Sequence, residues 1–219
     1  MRAVRTRGSA IQCLGLRLLL PQAIAALLAR HPRLHVATVE SPYDALAAGL
    51  RRGDIDFILG ALRPAAPDLR QEPLFEDRMS VIARAGHPLA RARRIDFASL
   101  GRAHWVLSRA GSPSRELLER AFAESGQPAP VPAVETGDLA VLRGLLTASD
   151  MLTAISAHQL RHEIRDGSLV VLDAPLPGTR RRIGLTQHVG ALPPPGARAL
   201  MDEVRRVVAQ SPELREPGR

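Results

Sequence analysis

Between Tyr43 and Leu62 the chain reads YDALAAGLRRGDIDFILGAL, and the two halves of this stretch ask for different backbones. In the first, apolar residues recur at helical spacing and the run stops at Gly53, a residue suited to the turn that ends a helix. In the second, IDFILGAL, apolar residues follow one another with little alternation. A strand written this way is covered on both faces, because a strand with one wet face alternates apolar and polar side chains. A short sheltered strand fed by an amphipathic helix restricts the chain to layered α/β architectures.

The same alternation recurs along the sequence. Strands are expected at 34–41 (LHVATVES) and 55–62, in RMSVIARAGHPLA up to His87 and Pro88, and at 104–108 (HWVLS), 132–135 (PAVE) and 151–156 (MLTAIS). Two more are expected in SLVVLDAPL and RIGLTQH. Helices are expected in LLLPQAIAALLARHP, over 43–53, over 112–126 with Ser112 as N-cap and Pro113 in the first helical position, over about 138–148, in AHQLRHEIRDG, and in ARALMDEVRRVVAQ. From AVRTRGSAI onward the order is β-α-β-α-β, so the opening half reads as a doubly wound layer. The last helix returns after a second set of strands, which predicts two α/β subdomains that share the chain discontinuously.

Composition narrows the function. With 219 residues, 45% of them hydrophobic, the chain can build a sizeable core. No stretch approaches the roughly 18–20 uninterrupted apolar residues of a membrane span, since Arg17, Gln22 and Arg30 divide the best candidate. The basic opening MRAVRTRG is not followed by the plain apolar core and cleavage site of a signal peptide, so a cytoplasmic protein without membrane partners is expected. Cys13 is the only cysteine, which excludes an internal disulfide and a cysteine-paired zinc site. The formal charge of +8 comes from 30 basic residues that are all arginine, clustered only in RARR (91–94) and TRRR (179–182). Such scatter reads as solvated surface charge, and 3% aromatic residues argue against stacking on nucleic-acid bases.

Motifs of reaction chemistry are missing. His158 and His162 have the i, i+4 spacing of a zinc-binding pair, but no glutamate follows His158 and no third ligand is near, so a surface helix is expected. Cys13, beside a helix start, could be activated as a thiolate; a small buried side chain is the simpler role. Asp54 and Asp56 read as a helix end and a strand start. There is no nucleophile elbow, no phosphate loop and no dinucleotide fingerprint, so neither an enzyme, a metal nor a cofactor is expected. One arrangement does recur: AIQCLGLRLLLP, WVLSRAGSPSREL and AVETGDLAVL each pass from a strand through a short polar loop into a helix. In doubly wound sheets, ligands sit beyond the carboxyl ends of strands, facing free N–H groups at helix N-termini. The three loops therefore predict a cleft for a small ligand with an acceptor or carboxylate group.

These segments together resemble the effector-binding domain of LysR-type transcriptional regulators. The matching residues are LLLPQAIAALLARHPRLHVATVES, ALAAGLRRGDIDFILGAL, EPLFEDRMSVIARAGHPLA, HWVLSRAGSPSRELLERAF, VETGDLAVLRGLLTASDMLTAIS and IGLTQH, in that order from about Ala10 to Val207. Within the family, GALRP, ARAGHPLA and LRGLLTASDMLTAIS are most similar to the regulators of galactose-binding protein and of the protocatechuate operon. The resemblance implies a type 2 periplasmic-binding-protein-like fold: two doubly wound α/β subdomains, about 1–78 with 184–219 and about 79–183, joined by two crossovers around a ligand cleft. It implies effector contacts at Gln12, Cys13 and Leu14 in the first loop, Ala61 at a strand end, Arg109 and Ser112 before the third expected helix, Thr136 and Gly137, and Ser156. The first loop departs from the family, which usually presents Ser or Thr hydroxyls there. The resemblance further implies a sugar or small organic or aromatic acid as effector, and a homodimer or higher oligomer formed by LPQAIAALLARHP against SRELLERAFAES; Ala23, Ala26 and Ala29 would permit the close approach, packing on their own sheet being the alternative for them. It implies DNA binding only through a winged helix-turn-helix that this sequence does not contain, as in the sensing half of a longer regulator. A solute-binding protein and an enzyme on the same two-lobed scaffold are the alternatives; export and a catalytic constellation would distinguish them.

Overall fold

A computed structural model describes residues 9–10, 19–39, 41–211 and 214. The chain runs through β1 (Ser9–Ala10), α1 (Leu19–Arg30), β2 (Thr38–Val39), α2 (Tyr43–Arg52), β3 (Ile58–Ala61) and β4 (Leu69–Asp77). It continues through β5 (Met79–Arg84), a 3₁₀ turn (Pro88–Arg91), α3 (Phe97–Gly101), β6 (His104–Leu107), α4 (Pro113–Glu124), β7 (Val134–Glu135), α5 (Leu139–Ala148) and β8 (Met151–Ser156). A second 3₁₀ turn (Ala157–Leu160), α6 (Arg161–Arg165), β9 (Leu169–Val171), β10 (Arg181–His188) and α7 (Pro195–Gln210) complete it. Two compact units result: the first ends at Asp77 and resumes at Arg181, and the second spans Arg78–Arg180.

The first unit contains a five-stranded sheet in the order β2-β1-β3-β10-β4. β1 is parallel to β2 and β3, whereas β10 is antiparallel to both β3 and β4, so the sheet is mixed. Alternation along the strands explains its two cores. Phe57, Leu59, Ile183 and Leu185 pack with Leu20, Ala23 and Leu27 of α1 and with Leu200, Val204 and Val208 of α7. Ile58 points the other way and packs with Leu46, Ala47 and Leu50 of α2. Gly53 ends α2 with a left-handed φ of 76°, and its N–H reaches Gly49 O and Leu50 O.

The second unit repeats the design with the order β7-β6-β8-β5-β9. Val81, Trp105, Leu107, Leu152 and Ala154 meet Leu100 of α3 and Leu118 and Phe122 of α4, while Ile82, Val106 and Ile155 meet Leu139, Leu142 and Leu146 of α5. Trp105 is fully buried, donates from Nε1 to Leu100 O at 2.8 Å, and lies edge-on to Phe122.

Several sequence expectations change. Among the described residues of the strand expected over 34–41, Thr38–Val39 form the strand; β4 has no counterpart among the expected strands, and AHQLRHEIRDG divides into a 3₁₀ turn and the single turn of α6. Ala23, one of the three alanines named for the dimer face, is fully buried in the core of its own unit, which agrees with the alternative that it packs on its own sheet.

Candidate functional site

In the second unit β6 is parallel to both β7 and β8, so all three finish at the same end of the sheet. The residues at and just after those strand ends carry most of the expected ligand contacts. After β6, Ser108 is buried and Arg109 and Gly111 are exposed. The turn is closed by Ser112 N–H donating to Arg109 O at 3.2 Å. Ser112 holds the N-cap position of α4, as its place before Pro113 predicts, but its side chain makes no capping bond. Its hydroxyl instead donates to Ser108 Oγ at 2.7 Å, and Ser114 Oγ lies 3.5 Å from the same oxygen. The result is a cluster of three hydroxyls at a helix start whose first-turn amides are not capped by Ser112.

The neighbouring loop is ordered differently. Thr136 N–H donates to Leu107 O at 2.9 Å, tying the end of β7 to β6. The Thr136 hydroxyl accepts from Asp138 N–H at 3.0 Å, and Asp138 caps α5 by accepting from Ala140 N–H at 2.7 Å. Thr136 thus accepts within the loop and keeps its own O–H proton to donate. Gly137 is exposed, with open space where a side chain would stand. At the end of β8, Ser156 is fully buried and faces Met79 of β5 in register.

Charge near these loops is largely spent within the protein. Arg115, buried in the first turn of α4, pairs with Glu119 at 2.6 Å and Glu135 at 3.4 Å, which leaves Arg109 as the exposed cation of the β6 loop. The cluster is therefore suited to hydrogen-bonding a small polar molecule, with one arginine to meet an acid group.

Ala61 belongs to the first unit, where it ends β3 half-buried and paired with Ile183. Gln12, Cys13 and Leu14 lie outside the described residues. His158 falls in the 3₁₀ turn and His162 in α6, and among the described residues no group of three potential ligands could hold a metal ion. Asp54 is exposed and bonded to Arg52 at 2.8 Å.

The family model of the LysR substrate binding domain matches residues 9–209. The chain belongs to the LysR substrate-binding domain family. Its curated relatives include the HTH-type transcriptional regulator GalR of Pseudomonas putida, 52% identical over 199 residues that make up 90% of this chain and 50% of GalR. CbbR of Xanthobacter flavus is 31% identical over 85% of this chain and 56% of its own length. The chain thus spans about half the length of the curated relatives it matches. Among solved structures, the regulatory domain of Synechocystis CcmR in complex with 2-PG superposes with a TM-score of 0.78 at 19% identity, covering 93% of this chain and 97% of that one. The effector-binding domain of QuiR in complex with shikimate gives 0.72 at 18% identity, covering 93% and 96%. These structures establish the two-lobed, periplasmic-binding-protein-like fold of the LysR domains.

Three polar residues of this LysR domain were not singled out from the sequence. Ser108 is the last letter of an apolar strand run, Ser114 sits inside a helix, and Gln159 lies in a stretch that reads as one continuous helix. A serine directly after a strand and before a glycine turn was the available signal for Ser108.

Proposed function

We propose that this LysR domain senses a small-molecule effector for a transcriptional regulator, and that the effector is held where β6, β7 and β8 end. The supporting observation is the convergence of the Ser108–Ser112 pair, Thr136 and Ser156 at one end of a parallel strand set, next to an α4 start without a side-chain cap. Arg109, Ser112, Thr136, Gly137 and Ser156 are the contacts we assign. Ala61 is assigned on the same strand-end logic within its own unit. Uncapped amides and hydroxyls favour a ligand rich in acceptors, either a sugar or a small organic or aromatic acid.

The function is regulatory and not catalytic: effector binding shifts a conformational equilibrium that a dimer relays to DNA. Self-association is assigned to α1 against α4 of a second copy, with Pro21, Gln22, Ala25 and Ala29 on the exposed side of α1. Sequence-specific DNA binding is assigned to a helix-turn-helix and not to the fold described here. We place the regulator in the cytoplasm; among the described residues no helix is long and apolar enough to cross a membrane. A thermal-shift screen of the chain against sugars, hydroxy acids and aromatic acids tests the reading. A saturable rise in Tm with one compound class, lost in Ser112→Leu, supports it, and a flat response across all classes contradicts it.

A further inference from the structure

Gln159 lies three residues beyond Ser156, in the 3₁₀ turn that follows β8. It is only 4% exposed, yet among the described residues neither its Oε1 nor its Nε2 has a hydrogen-bond partner. The turn packs against β8 and β5, and Met79, the first residue of β5, faces Ser156 in register. Gln159 therefore sits at the end of the sheet where β6, β7 and β8 finish. Buried amides in native proteins nearly always find partners, because each unpaired donor or acceptor retains its full desolvation cost. Thr153 Oγ1 is also buried without a partner, but it lies mid-strand opposite Ile82, on the face of β8 turned towards α5. Among the described residues, only Gln159 combines an unpaired donor and an unpaired acceptor beside the proposed effector contacts.

We infer that Gln159 is a specificity-determining contact that selects hydroxylated effectors. This inference rests on the effector-site reading above. A carboxamide presents one acceptor and two N–H donors side by side. A bare carboxylate can satisfy Nε2 but leaves Oε1 unpaired, since it has no proton to give. A hydroxyl donates to Oε1, and a second hydroxyl or a carboxylate accepts from Nε2. The fitting ligand thus carries a hydroxyl next to another oxygen function, as a sugar, a hydroxy acid or a dihydroxylated aromatic acid does. A plain aromatic or aliphatic acid leaves the acceptor unpaired, and sites built to bond a substrate hydroxyl discriminate strongly against analogues that lack it.

The test compares matched pairs of probes on the full chain: shikimate with cyclohexene-1-carboxylate, 3,4-dihydroxybenzoate with benzoate, and galactose with 2-deoxygalactose. Affinities by calorimetry and Tm values are measured for wild type, Gln159→Met and Gln159→Leu; two apolar variants prevent one side chain's packing from deciding the result. The expected result has three parts. Wild type prefers the hydroxylated member of at least one pair by about tenfold or more. Both variants lose that preference. The ligand-free variants melt no lower than wild type, because they remove an unpaired amide. Ligand-free variants that both melt well below wild type, or do not fold, would show that the amide already has a partner such as a buried water, and would overturn the inference. So would a preference that survives both substitutions, or wild-type binding that ignores the hydroxyls; either leaves the effector site itself standing. If no probe binds wild type, the effector reading fails and the inference falls with it.

Discussion

Arg181 places Nε at 3.0 Å and Nη2 at 2.9 Å from Oδ2 of Asp77, and the same two residues are register partners where β10 meets β4. Both side chains are nearly enclosed, at 10% and 3% exposure. These are also the residues at which the chain re-enters and leaves the first unit, so the ion pair holds together two segments far apart in sequence. Removing one partner takes away the ion pair while leaving the other charge buried. Asp77→Ala or Arg181→Ala should each cost about 3–5 kcal/mol in urea unfolding, and replacing both by apolar residues should recover most of the loss.

Helix α7 is fastened to the first unit at two points, and both depend on carboxylates. Arg205 makes a two-pronged pair with Glu72 of β4 at 2.8 and 2.7 Å, while the buried Glu203 receives Arg206 and Arg30 of α1. The hydrogen bond from Arg206, opposed by burial, holds the Glu203 carboxyl below its ordinary value; Arg205 does the same for Glu72. Carboxyls with lowered folded values contribute fully above the ordinary glutamate range, near pH ~4.3, and lose that contribution as pH falls through the folded value. Melting curves should therefore show stability falling with acid below that range. Glu203→Gln should lower Tm at neutral pH and flatten the acid limb.

Gly184 sits at an irregularity of the β10 ladder opposite Pro73, and a Cβ there would lie 2.0 Å from the backbone oxygen of Glu72. Backbone cannot yield as a side-chain tip can. Gly184→Ala should cost about 3 kcal/mol or more in chemical unfolding, whereas Gly144→Ala, with nothing within 4 Å of its Cβ position, should be neutral or mildly stabilising.

That same irregularity explains what the sequence concealed. β4 reads LRQEPLFED, with a proline and four charged side chains, and nothing in it resembles a sheltered strand. It pairs on one side only, as the edge of its sheet, where a proline and exposed charge are tolerated. By contrast, β3, β5 and β8, each flanked on both sides, are legible as apolar runs because both of their faces are buried. At the candidate site the positions of Ser112 and Asp138 as helix starts were readable from local chemistry. Their roles were not, because Ser112 turns to Ser108 while Asp138 caps its helix, and that choice is made by neighbouring strands. Gln159 was hidden because its burial depends on packing against β5, a strand some 75 residues earlier in the chain.

The hydroxyl cluster makes a separable prediction. Ser108→Ala removes the acceptor that holds the Ser112 hydroxyl, which frees Ser112 to cap α4. Stability should change by less than about 1 kcal/mol, because one hydrogen bond replaces another. Effector affinity should fall severalfold as the first-turn amides become occupied, a change measurable by calorimetry.

Amide chemical-shift mapping of the ¹⁵N-labelled chain, titrated with hydroxy acids and sugars, locates the effector site residue by residue. Saturable shifts should concentrate at 108–114, 136–138 and 156–159, where β6, β7 and β8 end. Shifts centred instead on β4 and α7, or spectra unchanged by every compound, would contradict the effector-site reading.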